Sequence, residues 1–130
     1  MVIDDARMQA VADAYTAAWN SGSADAVAGF FAPDGQIVIN RGPAWVGRAG
    51  LAQMAAGFFA DVPDLTLVCD GLRVADDHVV YLWTFTGTHA GSGRPLRVAG
   101  WEEWEIDAEY KVKSSRGWFS AADYARQTGA

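Results

Sequence analysis

The stretch LRVAGWEEWEI, residues 96–106, decides the class of fold. It is long and rich in β-forming residues, and turn-forming residues flank it at 90–95 and 107–110. Successive side chains of a strand point to opposite faces, so Trp104 and Ile106 share one face. The stretch predicts a long strand of an antiparallel sheet.

Three more runs around this stretch have the same character. They cover residues 65–75, 78–89 and 111–120, and each is separated from the next by a short turn. In the run 78–89, one face carries aromatic side chains and the other carries Leu and Thr. Four strands joined by short turns predict an antiparallel meander.

The first half of the chain carries helical patterns instead. Apolar residues recur at helical spacing over 4–20 and about 48–60, and a shorter segment, 24–31, follows a capping serine. A short strand is expected at 36–40, and 121–127 is a short terminal helix or a tail. Helices gathered before antiparallel strands indicate an α+β fold. We expect one domain, 1–130, with a curved antiparallel sheet wrapped around three helices.

Composition excludes several classes of function. The 130 residues carry a net charge of −6, which argues against nucleic acid or an anionic membrane as a main partner. Cys69 is the only cysteine, so neither an intrachain disulfide nor a cysteine metal cluster is expected. The acidic start lacks the pattern of a signal peptide and no apolar run could span a bilayer, which predicts a cytoplasmic protein.

Several motifs, in their order, resemble the SnoaL-like family of the NTF2-like superfamily, which includes polyketide cyclases, ketosteroid isomerases and limonene epoxide hydrolases. The segments that carry the resemblance are AYTAAWNSGSADAVAGFFAPDG (14–35), VGRAGLAQM (46–54), PDLTL (63–67), WTFTGTHAG (83–91), GWEEWEI (100–106) and SSRGWFSAADYARQ (114–127). The resemblance implies a cone-shaped sheet around a pocket, and this fold hosts many chemistries.

The resemblance also assigns roles to residues. Tyr15 falls where ketosteroid isomerases place an oxyanion donor, and Glu102 falls where they place a buried, protonated carboxylic acid. The position of the isomerase base is Ile39 or Asn40, and neither side chain can accept a proton. The segment 87–91, GTHAG, lacks the Arg-x-Asp arrangement of the epoxide hydrolases and is similar to that of cyclase relatives.

Glu102 is the main catalytic candidate. Its parity places it with Trp104 on an apolar face, where burial raises the pKa of a carboxyl toward neutrality and suits it to proton transfer. The register leaves an alternative in which Glu103 faces inward, and in a further alternative the inward glutamate pairs with Arg97 or Arg116.

Other polar candidates follow from their positions. His89 ends a strand, where it either exchanges a proton at the rim of a cavity or bonds to backbone. Tyr15 lies on the apolar face of the first helix, where its hydroxyl needs a partner. Asn40 either contacts a ligand at the pocket mouth or only forms a turn. The candidates for apolar pocket walls, which are alternatively plain core, are Trp19, Trp45, Met54, Phe58 and Phe119.

These observations predict a cofactor-free enzyme without a metal site. It would transfer a proton on a small apolar carbonyl substrate, in the manner of polyketide cyclases or isomerases. The alternative is a protein that binds a small apolar ligand without turnover. Trp83 and Trp118 are expected on the outer face of the sheet, which we expect to form a homodimer.

Overall fold

The computed structural model describes residues 1–129, which form four helices and six strands. In chain order these are α1 (Asp5–Asn20), α2 (Ala24–Ala28), β1 (Phe31–Ile39), β2 (Ala44–Val46), α3 (Gly47–Asp61), β3 (Thr66–Ala75), β4 (His78–Thr88), β5 (Pro95–Ile106), β6 (Val112–Phe119) and α4 (Ala121–Thr128). The α+β class predicted from the sequence is therefore confirmed.

The six strands form one sheet in the order β2-β1-β6-β5-β4-β3. The antiparallel meander β3-β4-β5-β6 matches the four runs expected from the sequence. The sheet is not wholly antiparallel, since β1 pairs parallel with β6. That pairing places the first strand of the chain beside the last.

The start of the first strand differs from the sequence prediction of 36–40. Strand β1 begins at Phe31, which is fully buried and pairs with Val112. The segment Ala32–Gly35 is an irregularity inside this strand, and Gly35 fits there because a Cβ would lie 2.8 Å from the Val112 carbonyl oxygen. The second helix correspondingly ends at Ala28.

Strand β2 was not predicted from the sequence either. Both Asn40 and Arg41 have positive φ, and the Gly42 N–H donates to the Ile39 carbonyl at 2.8 Å. This is the geometry of a type I′ turn, which joins antiparallel strands. Ala44–Val46 therefore turns back along β1 as a short, exposed strand.

The first helix packs on the inner face of the sheet. Its buried residues are Met8, Ala12, Tyr15, Ala18 and Trp19. Asp4 caps its start by accepting a hydrogen bond from the Ala6 N–H, as the sequence predicts. No helix among residues 1–129 has the length and apolarity of a membrane span.

Candidate functional site

An apolar cavity lies between the helices and the inner face of the sheet. Its empty volume, including the open mouth, is about 490 Å³. The lining residues are Trp19, Ile37, Ile39, Met54, Phe58, Leu65, Leu67, Trp83, Phe85, Glu102, Gly117, Trp118 and Phe119. Glu102 is the only ionisable side chain in this lining. Apolar walls with one polar group are typical of small-molecule sites.

The register of β5 places Glu102 on the inner face, where it is 6% exposed. The Trp104 indole N–H donates to Glu102 Oε1 at 3.0 Å, and the Ser115 hydroxyl donates to the same oxygen at 2.9 Å. The Tyr15 hydroxyl donates to Oε2 at 3.0 Å and lies 3.3 Å from Oε1. Oε2 therefore has one donor, and it retains room for a proton or a ligand.

Burial raises the pKa of Glu102 above its ordinary value, because the ionised form loses its hydration. The hydrogen bonds from Trp104, Ser115 and Tyr15 act in the opposite direction, since they stabilise the carboxylate. Within residues 1–129 no arginine, lysine or histidine pairs with Glu102. The structure therefore does not support the alternative in which the inward glutamate pairs with Arg97 or Arg116.

Tyr15 is held by a shell of aromatic rings. Its ring meets Trp19, Phe30, Tyr81 and Trp104 edge-on, at centroid distances from 5.2 to 6.4 Å. Burial, and then the nearby Glu102 carboxylate, hold the pKa of Tyr15 well above its ordinary value. Tyr15 thus keeps its proton and acts toward Glu102 as a hydrogen-bond donor.

The structure brings several of the predicted residues together. Trp19, Met54, Phe58 and Phe119 line the cavity with Glu102. Tyr15 lies behind the carboxyl of Glu102 and does not line the cavity. Tyr15 therefore cannot donate a hydrogen bond directly to a ligand in the cavity, and it would act on a ligand only through Glu102.

Three predicted residues lie elsewhere. His89 is in the β4–β5 turn, where its Nδ1 is 2.9 Å from the Ser92 hydroxyl, and it is not at the rim of the cavity. Asn40 forms the β1–β2 turn, and its side-chain oxygen accepts the Phe119 N–H at 3.0 Å. Trp45 belongs to the exposed strand β2 and is 37% exposed.

Two of the donors to Glu102, Trp104 and Ser115, were not predicted from the sequence. Strand alternation had placed Trp104 on the face of Glu102, two residues away, but the hydrogen bond from its indole N–H was not predicted. Ser115 lies opposite Trp104 on β6, and only the register reveals this neighbour. Trp83, expected on the outer face, points inward and lines the cavity. Tyr81 and Phe85 lie two residues before and after Trp83 on β4, so they share its inward-facing side.

A resident metal has no candidate ligand cluster in the part of the chain that the structure describes. No three side chains of His, Cys, Asp or Glu come together among residues 1–129. The polar chemistry of the cavity is therefore that of Glu102 and its three neutral donors.

Comparison with known proteins identifies the family. The sequence model of the SnoaL-like domain matches residues 12–114, which is most of the chain. The chain belongs to the SnoaL-like family. This membership confirms the resemblance seen in the sequence motifs. No curated protein matches the SnoaL-like chain significantly.

Solved structures share the fold of this SnoaL-like protein. TsrD from Streptomyces laurentii is 24% identical, with a TM-score of 0.85, and the match covers 98% of each chain. A protein of ketosteroid isomerase-like fold from Catenulispora acidiphila, in complex with trimethylamine, is 23% identical with a TM-score of 0.84, over 92% of each chain. A protein from Jannaschia that is described as a SnoaL-like polyketide cyclase is 16% identical with a TM-score of 0.85, and the match covers 100% of this chain and 98% of that chain. These likenesses establish the NTF2-like fold.

Proposed function

We propose that the protein is an enzyme that transfers a proton on a small apolar carbonyl compound, without a cofactor, in the manner of polyketide cyclases or isomerases. The observation that carries this proposal is Glu102, a buried carboxyl that faces an apolar cavity and has hydrogen-bond donors, but no cation from residues 1–129, around it. A carboxyl in such surroundings is a stronger base than one in water.

The proposed reaction begins with the carboxylate of Glu102. Its Oε2 takes a proton from the carbon next to a carbonyl group, and the electron pair of that C–H bond forms an enolate. The protonated Glu102 then returns the proton to carbon or to oxygen, which completes an isomerisation or follows attack of the enolate on a second carbonyl. Tyr15, Trp104 and Ser115 orient the carboxyl, and the apolar walls exclude water.

His89 has no part in this mechanism, because the β4–β5 turn holds it outside the cavity lining. Two solved structures described as polyketide cyclases support this class of reaction. Their sequence identity to the chain is 16% and 20%, which shows a shared fold and not a shared activity. The cytoplasmic location stays a prediction.

Deuterium exchange tests the proposed chemistry directly. The protein is incubated in D₂O with bicyclic ketones such as tetralone and indanone, and exchange next to the carbonyl is followed by proton NMR. We expect catalysed exchange that Glu102→Gln lowers by about 10²-fold or more. The control Glu103→Gln changes only the outer face and should exchange at the wild-type rate. Equal rates in wild type and Glu102→Gln would refute the proposal.

Binding without turnover is the second candidate, and one observation favours it. Glu102 is the only titratable side chain in the cavity lining, so no second acid or base faces a ligand there. Binding of the ketones is measured by quenching of tryptophan fluorescence. Binding without catalysed exchange would favour this alternative.

We also propose that the outer sheet face forms a homodimer. Leu82 and Trp101 form an apolar row across two neighbouring strands, and Trp101 is 42% exposed. Such an apolar row is suited to a second copy of the chain. Sedimentation should show a dimer that Trp101→Arg dissociates. A wild-type monomer at micromolar concentrations would contradict this arrangement.

A further inference from the structure

Four aromatic side chains of the cavity contact one another in a closed ring. The centroid of Phe58 lies 6.5 Å from that of Phe85, and Phe85 is 5.8 Å from Trp83. Phe119 completes the ring, at 6.4 Å from both Trp83 and Phe58. All four residues line the cavity that contains Glu102. A ligand in this cavity therefore meets several aromatic surfaces.

Glu102 supplies the cavity with a group that can carry negative charge. The groups that contact it from α1, β5 and β6 are the neutral donors Tyr15, Trp104 and Ser115. From β4, the titratable side chain facing it is Tyr81, its cross-strand neighbour. None of these groups is a cation.

An ionised Glu102 would consequently be a buried anion without a counter-ion from residues 1–129. A buried charge is costly unless an opposite charge accompanies it. A ligand cation would meet this need. Metal ions such as calcium or magnesium require several oxygen ligands, whereas the cavity lining offers a single carboxyl.

We propose that the cavity binds a small organic ammonium ion, with its alkyl groups against Phe58, Trp83, Phe85 and Phe119 and its charge neutralised by Glu102. Aromatic faces attract cations, and they are a recurrent means of binding quaternary ammonium ions, whose alkyl groups keep the cost of desolvation low. Oε2 has only the Tyr15 hydroxyl as a donor, so it can accept an N–H of a tertiary ammonium ion.

Binding of an ammonium ion does not require the proposed reaction. A cavity that never turns over a ketone would still bind the cation. Because the ammonium ion requires ionised Glu102, its affinity should rise with pH until Glu102 is fully ionised.

Choline and its uncharged carbon isostere, dimethylbutanol, have nearly the same shape and form a matched pair of probes. Their affinities are measured by calorimetry at pH 8 with wild type, Glu102→Gln and the control Glu103→Gln. We expect choline to bind at least about tenfold more tightly than dimethylbutanol to wild type and Glu103→Gln. Glu102→Gln should abolish that preference.

Phe85→Leu provides a second variant that leaves Glu102 intact, for the case in which Glu102→Gln fails to fold. This substitution should weaken the binding of choline more than the binding of dimethylbutanol, because it removes one aromatic face. Equal affinities of the two probes for wild type, failure of both to bind, or a preference that survives in folded Glu102→Gln would overturn the proposal.

Discussion

The two faces of strand β5 differ most at Glu102 and Glu103, which are neighbours in the chain. Glu102 is buried on the inner face and accepts hydrogen bonds from three side chains. Glu103 lies on the outer face, where it accepts one hydrogen bond, from the Trp101 indole N–H at 3.0 Å. The same residue type is thus part of a candidate site on one face and a partly exposed polar group on the other.

This difference arises from the pleat of the strand rather than from residue type. Alternation sends one carboxyl into the apolar cavity and the next toward the outside. Burial then raises the pKa of the inner carboxyl, and the neutral donors around it fix its orientation. The following predictions test whether the two faces differ as much as the structure indicates.

The largest effect is expected when each glutamate is replaced by alanine. Glu102→Ala leaves the buried donors of Tyr15, Trp104 and Ser115 without their acceptor, so it should lower the free energy of unfolding by about 3 kcal/mol or more. Glu103→Ala, the matched control, should change it by about 0.5 kcal/mol or less. Urea unfolding followed by tryptophan fluorescence measures both values. Similar losses in the two variants would show that the two faces are not distinct.

The next largest effect is expected at two glycines of the inner face, which should differ in how much an alanine substitution destabilises the fold. A Cβ at Gly100 would lie 2.2 Å from the Trp118 carbonyl oxygen, so Gly100→Ala should destabilise the fold by about 1–3 kcal/mol. A Cβ at Gly117 would lie 3.9 Å from Glu102 Cγ, an ordinary contact beside the cavity. Gly117→Ala should therefore change the unfolding free energy by less than about 1 kcal/mol. Thermal unfolding compares the two, and a large loss in Gly117→Ala would contradict a cavity next to Glu102.

The stability difference between wild type and Glu102→Gln should depend on pH. Burial raises the folded pKa of Glu102 above its unfolded value of about 4.3, so between these two pKa values the folded state retains a proton that the unfolded state releases. The contribution of Glu102 is complete below the unfolded pKa and falls as pH rises, by at most about 1.4 kcal/mol per pH unit. Above the folded pKa the loss is complete.

Urea unfolding of both proteins from pH 3 to pH 8 measures this difference. Asp64 and Asp123 have pKa values lowered by hydrogen bonds from Thr88 and Arg126, so they act in the opposite direction. They are present in both proteins and cancel in the comparison. A difference that stays constant with pH would show that burial does not change the ionisation of Glu102.

The smallest effect is expected for the donors to Glu102. Ser115→Ala removes one hydrogen bond and should cost about 1 kcal/mol of unfolding free energy. Because that bond stabilises the carboxylate, its loss should also raise the pKa of Glu102 further. Ser114→Ala, at the neighbouring position of β6, is the control. Carboxyl-carbon NMR of the two variants measures the change in the pKa of Glu102. An unchanged pKa in Ser115→Ala would show that Ser115 does not influence the ionisation of Glu102.

Local patterns predict the meander well, and they predict Glu102 for the same reason. Alternation depends only on the strand itself, so the shared face of Glu102, Trp104 and Ile106 follows from the sequence. The parallel pairing of β1 with β6 depends on residues about 80 positions apart and leaves no local signal. The early start of β1 was missed because Pro33 and Gly35 are typical of turns.

The site itself is only partly predictable. Aromatic residues with helical spacing identified Trp19 and Phe58, since the edge of the core is also the wall of the cavity. The two alternatives for His89 and for Asn40 stayed open because a polar residue at the end of a strand has the same sequence signal whether it lies at a cavity or in a turn. The positive φ of Asn40 suits the turn, and that conformation is visible only in the structure.

The ionisation of Glu102 tests the central claim most directly. Carboxyl-carbon NMR across pH, with Glu102→Gln and Glu103→Gln to assign the signals, measures the pKa of each group in the folded protein. The structure predicts that burial makes Glu102 titrate above the ordinary value of about 4.3 and that its signal disappears in Glu102→Gln. Titration of Glu102 at or below that ordinary value would contradict a buried, tuned carboxyl and the proposed chemistry with it.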